Sequence, residues 1–146
     1  MMAELPEVIG IIYPLPKEII ENMFNKKRDV FVKFTTHEPT RKTEIRIRKG
    51  IKLYFYQSGS EKTIVADATI INFEYLYIDE ILRKFKSKLI IPEIELAQYA
   101  FGREGKKLLV IHLKDSRKYK TPIKMIKPIT MAGQYVTLDN RKMLFE

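Results

Sequence analysis

Two runs of alternating residues, Ile51 to Gln57 (IKLYFYQ) and Thr63 to Phe73 (TIVADATIINF), are separated only by the polar, glycine-containing stretch Ser58 to Lys62 (SGSEK). This constrains the chain more than any other feature. So short a connection returns the chain antiparallel to itself, which predicts a β-hairpin. Successive side chains in a strand point to opposite faces. Leu53 and Phe55 therefore face one way, and Lys52, Tyr54 and Tyr56 face the other.

The rest of the chain is read by the same rules. Glu7 to Tyr13 (EVIGIIY) predicts a buried strand halted by Pro14-Leu15-Pro16, because proline cannot donate to a sheet ladder. Ile19, Ile20, Met23 and Phe24 recur at helical spacing behind Pro16, which is suited to opening a helix. Asp29 to Thr35 (DVFVKFT) predicts a strand with Val30, Val32 and Phe34 on one face and Phe31, Lys33 and Thr35 on the other. Thr36 to Thr43 has no periodicity and predicts an exposed loop, after which Arg46 and Arg48 alternate with Ile45 and Ile47. Ile78, Ile81, Leu82 and Phe85 mark a helix whose acids come early and whose cations, Arg83, Lys84, Lys86 and Lys88, come late, as the macrodipole favours. A second helix is expected from Pro92 to Phe101. Lys107 to Lys114, Ile123 to Ile126 and Tyr135 to Leu138 supply closing strands. The order predicts one α+β domain spanning residues 1–146, with a mixed or barrel-like sheet flanked by short helices.

Composition removes several function classes. There is no cysteine, so a disulfide framework, a thiolate metal site and a cysteine nucleophile are excluded. The only histidines are His37 and His112, so a His-rich metal site is excluded as well; no metal and no cofactor is expected. The opening MMAELPEVIG lacks a basic region followed by a long apolar run, and no stretch reaches the roughly 18 apolar residues of a membrane span. Cytoplasmic residence without membrane contact is expected. The net charge of +9 is uneven: residues 26–62 hold eleven cations against four acids and residues 106–146 hold ten against three, while residues 63–105 are slightly acidic. If the fold joins the two basic stretches, the resulting face attracts phosphates by steering and counterion release; otherwise they are a solvated surface.

The unit Arg48-Lys49-Gly50-Ile51-Lys52-Leu53-Tyr54-Phe55-Tyr56-Gln57-Ser58, followed after a polar turn by Ile64-Val65-Ala66-Asp67-Ala68-Thr69-Ile70, resembles the core of PUA-like domains, the superfamily that includes the EVE, YTH and ASCH groups. Phe55-Tyr56-Gln57-Ser58 is similar to the Tyr-His-Ser segment of EVE domains, with Gln57 where histidine is usual. With Val8-Ile9-Gly10, Pro14-Leu15-Pro16 and Ala132-Gly133-Gln134-Tyr135, the chain looks like an archaeal family within that superfamily. The resemblance implies a small β-barrel flanked by helices and a cleft beside the barrel that takes RNA, modified bases or nucleotides. Some members of the ASCH group resemble hydrolases that use a lysine with a carboxylate and a hydroxyl, types that Lys33, Thr35, Glu38 and Glu44 offer here.

The candidate ligand-binding set is Lys33, Thr35, Tyr54, Tyr56, Gln57, Ser58, Gln134 and Tyr135. Aromatic rings beside a cation suit base stacking with phosphate pairing, although tyrosines in a half-buried strand also simply pack. Gln57 and Ser58 could read a base edge, or could serve the turn alone. Lys33 in mid-strand must reach outward or find an anion, and it serves equally as an edge lysine that blocks aggregation. Arg46, Arg48, Lys49, Lys107, Arg117, Lys118 and Lys120 are candidates for a phosphate-tracking rim. The expected function is binding of nucleic acid, with RNA favoured, or of a modified base or nucleotide. An ASCH-like hydrolase, either a ribonuclease or an amidohydrolase on a modified nucleoside with Lys33 and Glu44 as catalytic candidates, is the alternative. Docking on an acidic protein partner is a third reading.

Overall fold

The computed structural model describes residues 8–34, 48–59, 62–102, 105–126 and 134–137. The loop of residues 36–43, which contains His37, and the candidates Thr35, Glu38, Glu44 and Arg46 lie outside the described residues. Six strands, β1 (Val8–Leu15), β2 (Val30–Phe34), β3 (Lys52–Gln57), β4 (Thr63–Leu76), β5 (Leu108–Lys124) and β6 (Gln134–Thr137), form one sheet in the order β2-β5-β4-β3-β1-β6. The β1–β3 pair is parallel and the other pairs are antiparallel. Helix α1 (Lys17–Asn25) follows β1, and α2 (Ile78–Phe85), a 3-10 turn at Lys86–Lys88 and α3 (Glu93–Ala100) lie between β4 and β5.

The sheet curls strongly. Tyr13 on β1 and Phe31 on β2 are four strand spacings apart in the sheet order, roughly 19 Å if the sheet were flat. Their rings nevertheless stack with centroids 5.5 Å apart, and Phe31 meets Phe55 of β3 edge-on at 6.3 Å. The concave side thus encloses a core of Ile11, Tyr13, Phe31, Leu53, Phe55 and Ile111, to which α1 adds Ile19, Ile20 and Met23. On the convex side, α2 and α3 set Ile81, Leu96 and Ala100 against Val30, Val32 and Val110. A third cluster, Ile12, Tyr56, Ile64, Met125 and Val136, covers the convex side at the other end. The expected α+β class is present, while a closed barrel is not confirmed: among the described residues the sheet curls, but none of them pairs β2 with β1 or β6.

Local chemistry accounts for two departures from the sequence reading. Pro14 falls inside β1 rather than ending it. Leu15 O accepts from Ser58 N at 3.0 Å, so Leu15 turns its polar groups toward β3 and Pro14 turns its own toward the opposite edge. Among the described residues the β1–β6 pairing has already ended there, at Ile12–Gln134, and the missing donor is harmless. The second departure is β5, one strand of 17 residues in place of two short ones. Its polar middle pairs with β4 on one side only, so no alternating apolar pattern marks it.

A bulge in β5 matters for the site. Thr69 pairs with Lys114 and Asp67 with Arg117, leaving one residue between the pairs on β4 but two, Asp115 and Ser116, on β5. Asp115 takes a positive φ of 53°, a conformation aspartate tolerates better than most residues. Strict alternation would put Lys114 and Arg117 on opposite faces; the extra residue puts both on the face of Thr69 and Asp67.

Candidate functional site

The convex face of the β3–β4–β5 segment carries two cross-strand rows, Lys52–Thr69–Lys114 and Tyr54–Asp67–Arg117. Directly opposed residues in such rows have Cβ atoms roughly 4.5–5.5 Å apart, so their side chains meet. Asp67 is the hub. Its side chain is buried, in a run, Ile64–Ile70, that is apolar but for Asp67 and Thr69. A carboxylate is held there only if its charge is paired and its oxygens are bonded.

Both conditions are met. Arg117 donates from Nε to Oδ1 at 3.2 Å and from Nη2 to Oδ2 at 2.9 Å, a two-point fork, and the Tyr119 hydroxyl donates to Oδ2 at 2.6 Å. Lys52 Nζ lies 3.8 Å from Oδ1 and donates to Thr69 Oγ1 at 3.1 Å. Burial pushes the Asp67 carboxyl up, but the bonds from Arg117 and Tyr119 and the charges of Lys52 and Arg117 outweigh it and hold the group below its ordinary value. Burial first, and then its bond to Asp67, raises Tyr119 well above the ordinary tyrosine value. At neutral pH the cluster is an ionised carboxylate with a neutral phenol. A carboxylate so depressed cannot deliver a proton, which argues against general-acid chemistry at this hub.

Tyr54, half-buried, lies over Gly10 of β1. A Cβ added at Gly10 would come within 2.6 Å of Tyr54 Cε2 and 3.1 Å of Lys52 O, so only glycine lets the ring settle there. The Arg117 side chain stays 67% exposed and that of Lys52 36%, so the cations remain open to a ligand while bracing the hub.

The expected site residues divide between two faces. Tyr54 and Arg117 join the convex rows. Tyr56 shares the face of Tyr54 but is only 5% exposed, packed with Ile12, Ile64, Met125 and Val136, so it is a core residue rather than a stacking platform. Lys33, Gln57 and Tyr135 belong to the other side. Lys33 lies with Phe31, half-buried, its Nζ 5.1 Å from the centre of the Tyr13 ring, and burial lowers its pKa. Gln57 shares the alternation of Leu53 and Phe55, and Tyr135 packs against the concave core. Ser58 occupies the turn, its backbone bonded to Leu15. For Gln134 the backbone alone is described, opposite Ile12.

The rim also breaks up. Arg48 donates from Nη2 to Val8 O at 2.9 Å, and with Lys49 it precedes β3 close to Lys52. Lys118 pairs with Ala66, a concave-core residue, so it projects to the side opposite Arg117; Lys120 lies in the irregular segment before Ile123. Lys107 precedes β5, its Nζ 5.5 Å from the Tyr77 ring, ten residues of strand from Arg117 and roughly 30 Å along its path. His112 Nε2 lies 2.6 Å from Glu74 Oε2, and its ring meets Phe85 edge-on.

Asp67 was not among the candidates read from the sequence, although an acid inside a largely apolar strand signals a buried partner. Among the described residues no grouping of three or more His, Asp or Glu could hold a metal ion, and no helix is long and apolar enough to cross a membrane.

The model of a family described as "Domain of unknown function (DUF365)" matches residues 8–138. The chain belongs to that family. A relative is an uncharacterized protein of Methanocaldococcus jannaschii, 30% identical over 106 residues, which cover 66% of this chain and 98% of that protein. The expected archaeal connection rests on this one relative. In fold, the DUF365 chain is similar to a serine-to-alanine mutant of ZmASCH from Zymomonas mobilis, with a TM-score of 0.71 and 13% identity over 95% of this chain and 96% of that one. ZmASCH itself gives 0.59 at 15% identity, covering 92% and 78%. The N-terminal domain of Staphylothermus marinus McrB gives 0.50 at 12% identity, covering 84% and 82%. At such identities the likeness is one of fold alone.

Proposed function

We propose that this DUF365 protein binds nucleic acid, with single-stranded RNA favoured, through the convex face of β3, β4 and β5. The observation that carries the reading is the pair of rows in which Lys52, Lys114 and Arg117 share one face with the ring of Tyr54, two of these cations, Lys52 and Arg117, being held by the buried carboxylate of Asp67. Cations track phosphates, and a ring beside them offers a platform on which any base can stack. The fold likeness to ASCH domains and the net charge of +9 support the same reading. Lys114→Glu and Tyr54→Leu test it by different routes. The charge reversal weakens binding and flattens the dependence of log affinity on log salt. Loss of the ring weakens binding while leaving that slope in place. Unchanged affinity in both folded variants removes the face from the site.

One observation favours a second reading, the ASCH-like hydrolase. Lys33, half-buried over Tyr13 with its pKa lowered, has the environment of a lysine that loses its proton readily. Turnover of an acetylated nucleoside or of RNA, abolished by Lys33→Met and untouched by Lys114→Glu, would establish it. Absence of turnover leaves the binding reading alone.

A further inference from the structure

Where α1 ends and α2 ends, the surface opens into a cleft of about 470 Å³ lined by five cations, Lys26, Arg28, Arg83, Lys84 and Lys86, with one carboxylate, Glu93. Three of these cations belong to residues 63–105, whose overall charge is slightly acidic. They occupy the end of α2 and the turn after it, where the macrodipole alone would account for them. Folding adds Lys26 and Arg28 from the α1–β2 connection, more than fifty residues away in sequence, and the macrodipole does not account for that.

The wall is built rather than incidental. Arg28 Nη1 donates to Lys86 O at 3.4 Å and to Leu89 O at 3.2 Å, so the guanidinium's other edge carries its remaining donors. Asp29 N donates to Lys88 O at 3.1 Å and Ile90 N to Val30 O at 2.9 Å, which fastens the two segments together. Among the described residues the one ion pair in the lining is Lys86–Glu93 at 3.3 Å. Five cations around one cleft repel each other until an anion enters.

The end of α2 also meets β5 on the convex side. Phe85, between Lys84 and Lys86, stands edge-on to His112 with ring centroids 4.9 Å apart. Lys114 is two residues further along β5, about 7 Å away on the same face. We infer that the α1–α2 cleft holds phosphates of the same nucleic-acid strand that the convex patch contacts, so that the two form one track. This rests on the nucleic-acid reading above. An acidic protein would bring an apolar centre to its contact, and here only Ile90 and Pro92 offer one.

The test is equilibrium binding of a 15-nucleotide single-stranded RNA to the full chain, titrated with salt, for wild type and for Arg83→Gln with Lys84→Gln. Both side chains are exposed, and unchanged circular dichroism confirms the fold. Losing two phosphate contacts should reduce the slope of log affinity against log salt by about 1.4, with affinity about 25-fold lower near 0.1 M salt when the two lines meet at about 1 M. Wild-type slope and affinity in the double variant, while Lys114→Glu still weakens binding, would overturn the cleft and leave the convex patch standing. No RNA or DNA binding by wild type would overturn both. Calorimetry with inorganic triphosphate separates a free polyphosphate from a strand: binding of triphosphate at the cleft without any RNA binding would also overturn the track.

Discussion

Replacing Tyr119 with phenylalanine deletes one oxygen atom and nothing else, which makes it the sharpest probe of the hub. That oxygen donates to Asp67 Oδ2 at 2.6 Å, and the carboxylate is 1% exposed. A hydrogen bond to a charged group contributes about 1.5–3 kcal/mol, and Arg117 still satisfies Oδ2, so the lower end of that range applies, about 1.5 kcal/mol. For a chain of this size that is a fall in Tm of roughly 3–6 °C. Asp67→Asn should cost more, about 2–3 kcal/mol, because the amide turns a donor toward a guanidinium that can only donate. In the asparagine background the phenol meets a neutral acceptor, so Tyr119→Phe should then cost less by about 0.5–1 kcal/mol.

The pH dependence has a definite sign. The folded carboxyl of Asp67 sits below its unfolded value of 3.8, so its contribution is present above about pH 4 and is lost as pH falls through the folded value. The deficit of Tyr119→Phe relative to wild type should therefore shrink below pH 4. Urea denaturation from pH 7 to pH 2.5 measures all of this. A Tyr119→Phe variant within about 0.3 kcal/mol of wild type at pH 7, or an equal loss in both backgrounds, would refute the charged-hub reasoning.

Other expectations follow from single contacts. Gly10→Ala drives a methyl into the Tyr54 ring and should cost about 1–3 kcal/mol by denaturation, with RNA affinity lowered as the ring is displaced. Asp115→Val places a β-branched residue at a φ of 53°, costing about 1–2 kcal/mol, while Asp115→Gly should be neutral or stabilising; the reverse order in thermal melts would contradict the bulge that aligns Lys114 with Arg117. Tyr56→Leu should destabilise the fold and, among molecules that remain folded, leave RNA affinity unchanged, because Tyr56 is core.

The features legible in the sequence were those set by local periodicity. The hairpin of β3 and β4, the opposite facing of Tyr54 and Phe55, and the sharing of a face by Phe31 and Lys33 all follow from period two. The start of α1 follows from Pro16 and helical spacing. What escaped depends on distant partners or on a break in the period. Lys33 and Tyr54 lie on opposite sides of the sheet, a relation that neither strand alone encodes. The bulge at Asp115 shifts the phase by one residue, so Arg117 could not be assigned a face by counting. Asp67 finds its partners fifty and fifty-two residues away. The cleft draws its cations from one stretch read as basic and another read as slightly acidic, so block charges concealed it. The curl that brings Tyr13 to Phe31 arises from the whole sheet.

Photo-crosslinking of a thiouridine-substituted single-stranded RNA to the wild-type chain, followed by peptide mapping, is the most direct test of where nucleic acid lies. Cross-links are expected in the segments containing Lys52 to Tyr54 and Lys114 to Tyr119, diminished at high salt. Cross-links confined to the β2 segment around Lys33, with the convex segments unlabelled, would contradict the assignment of the convex face.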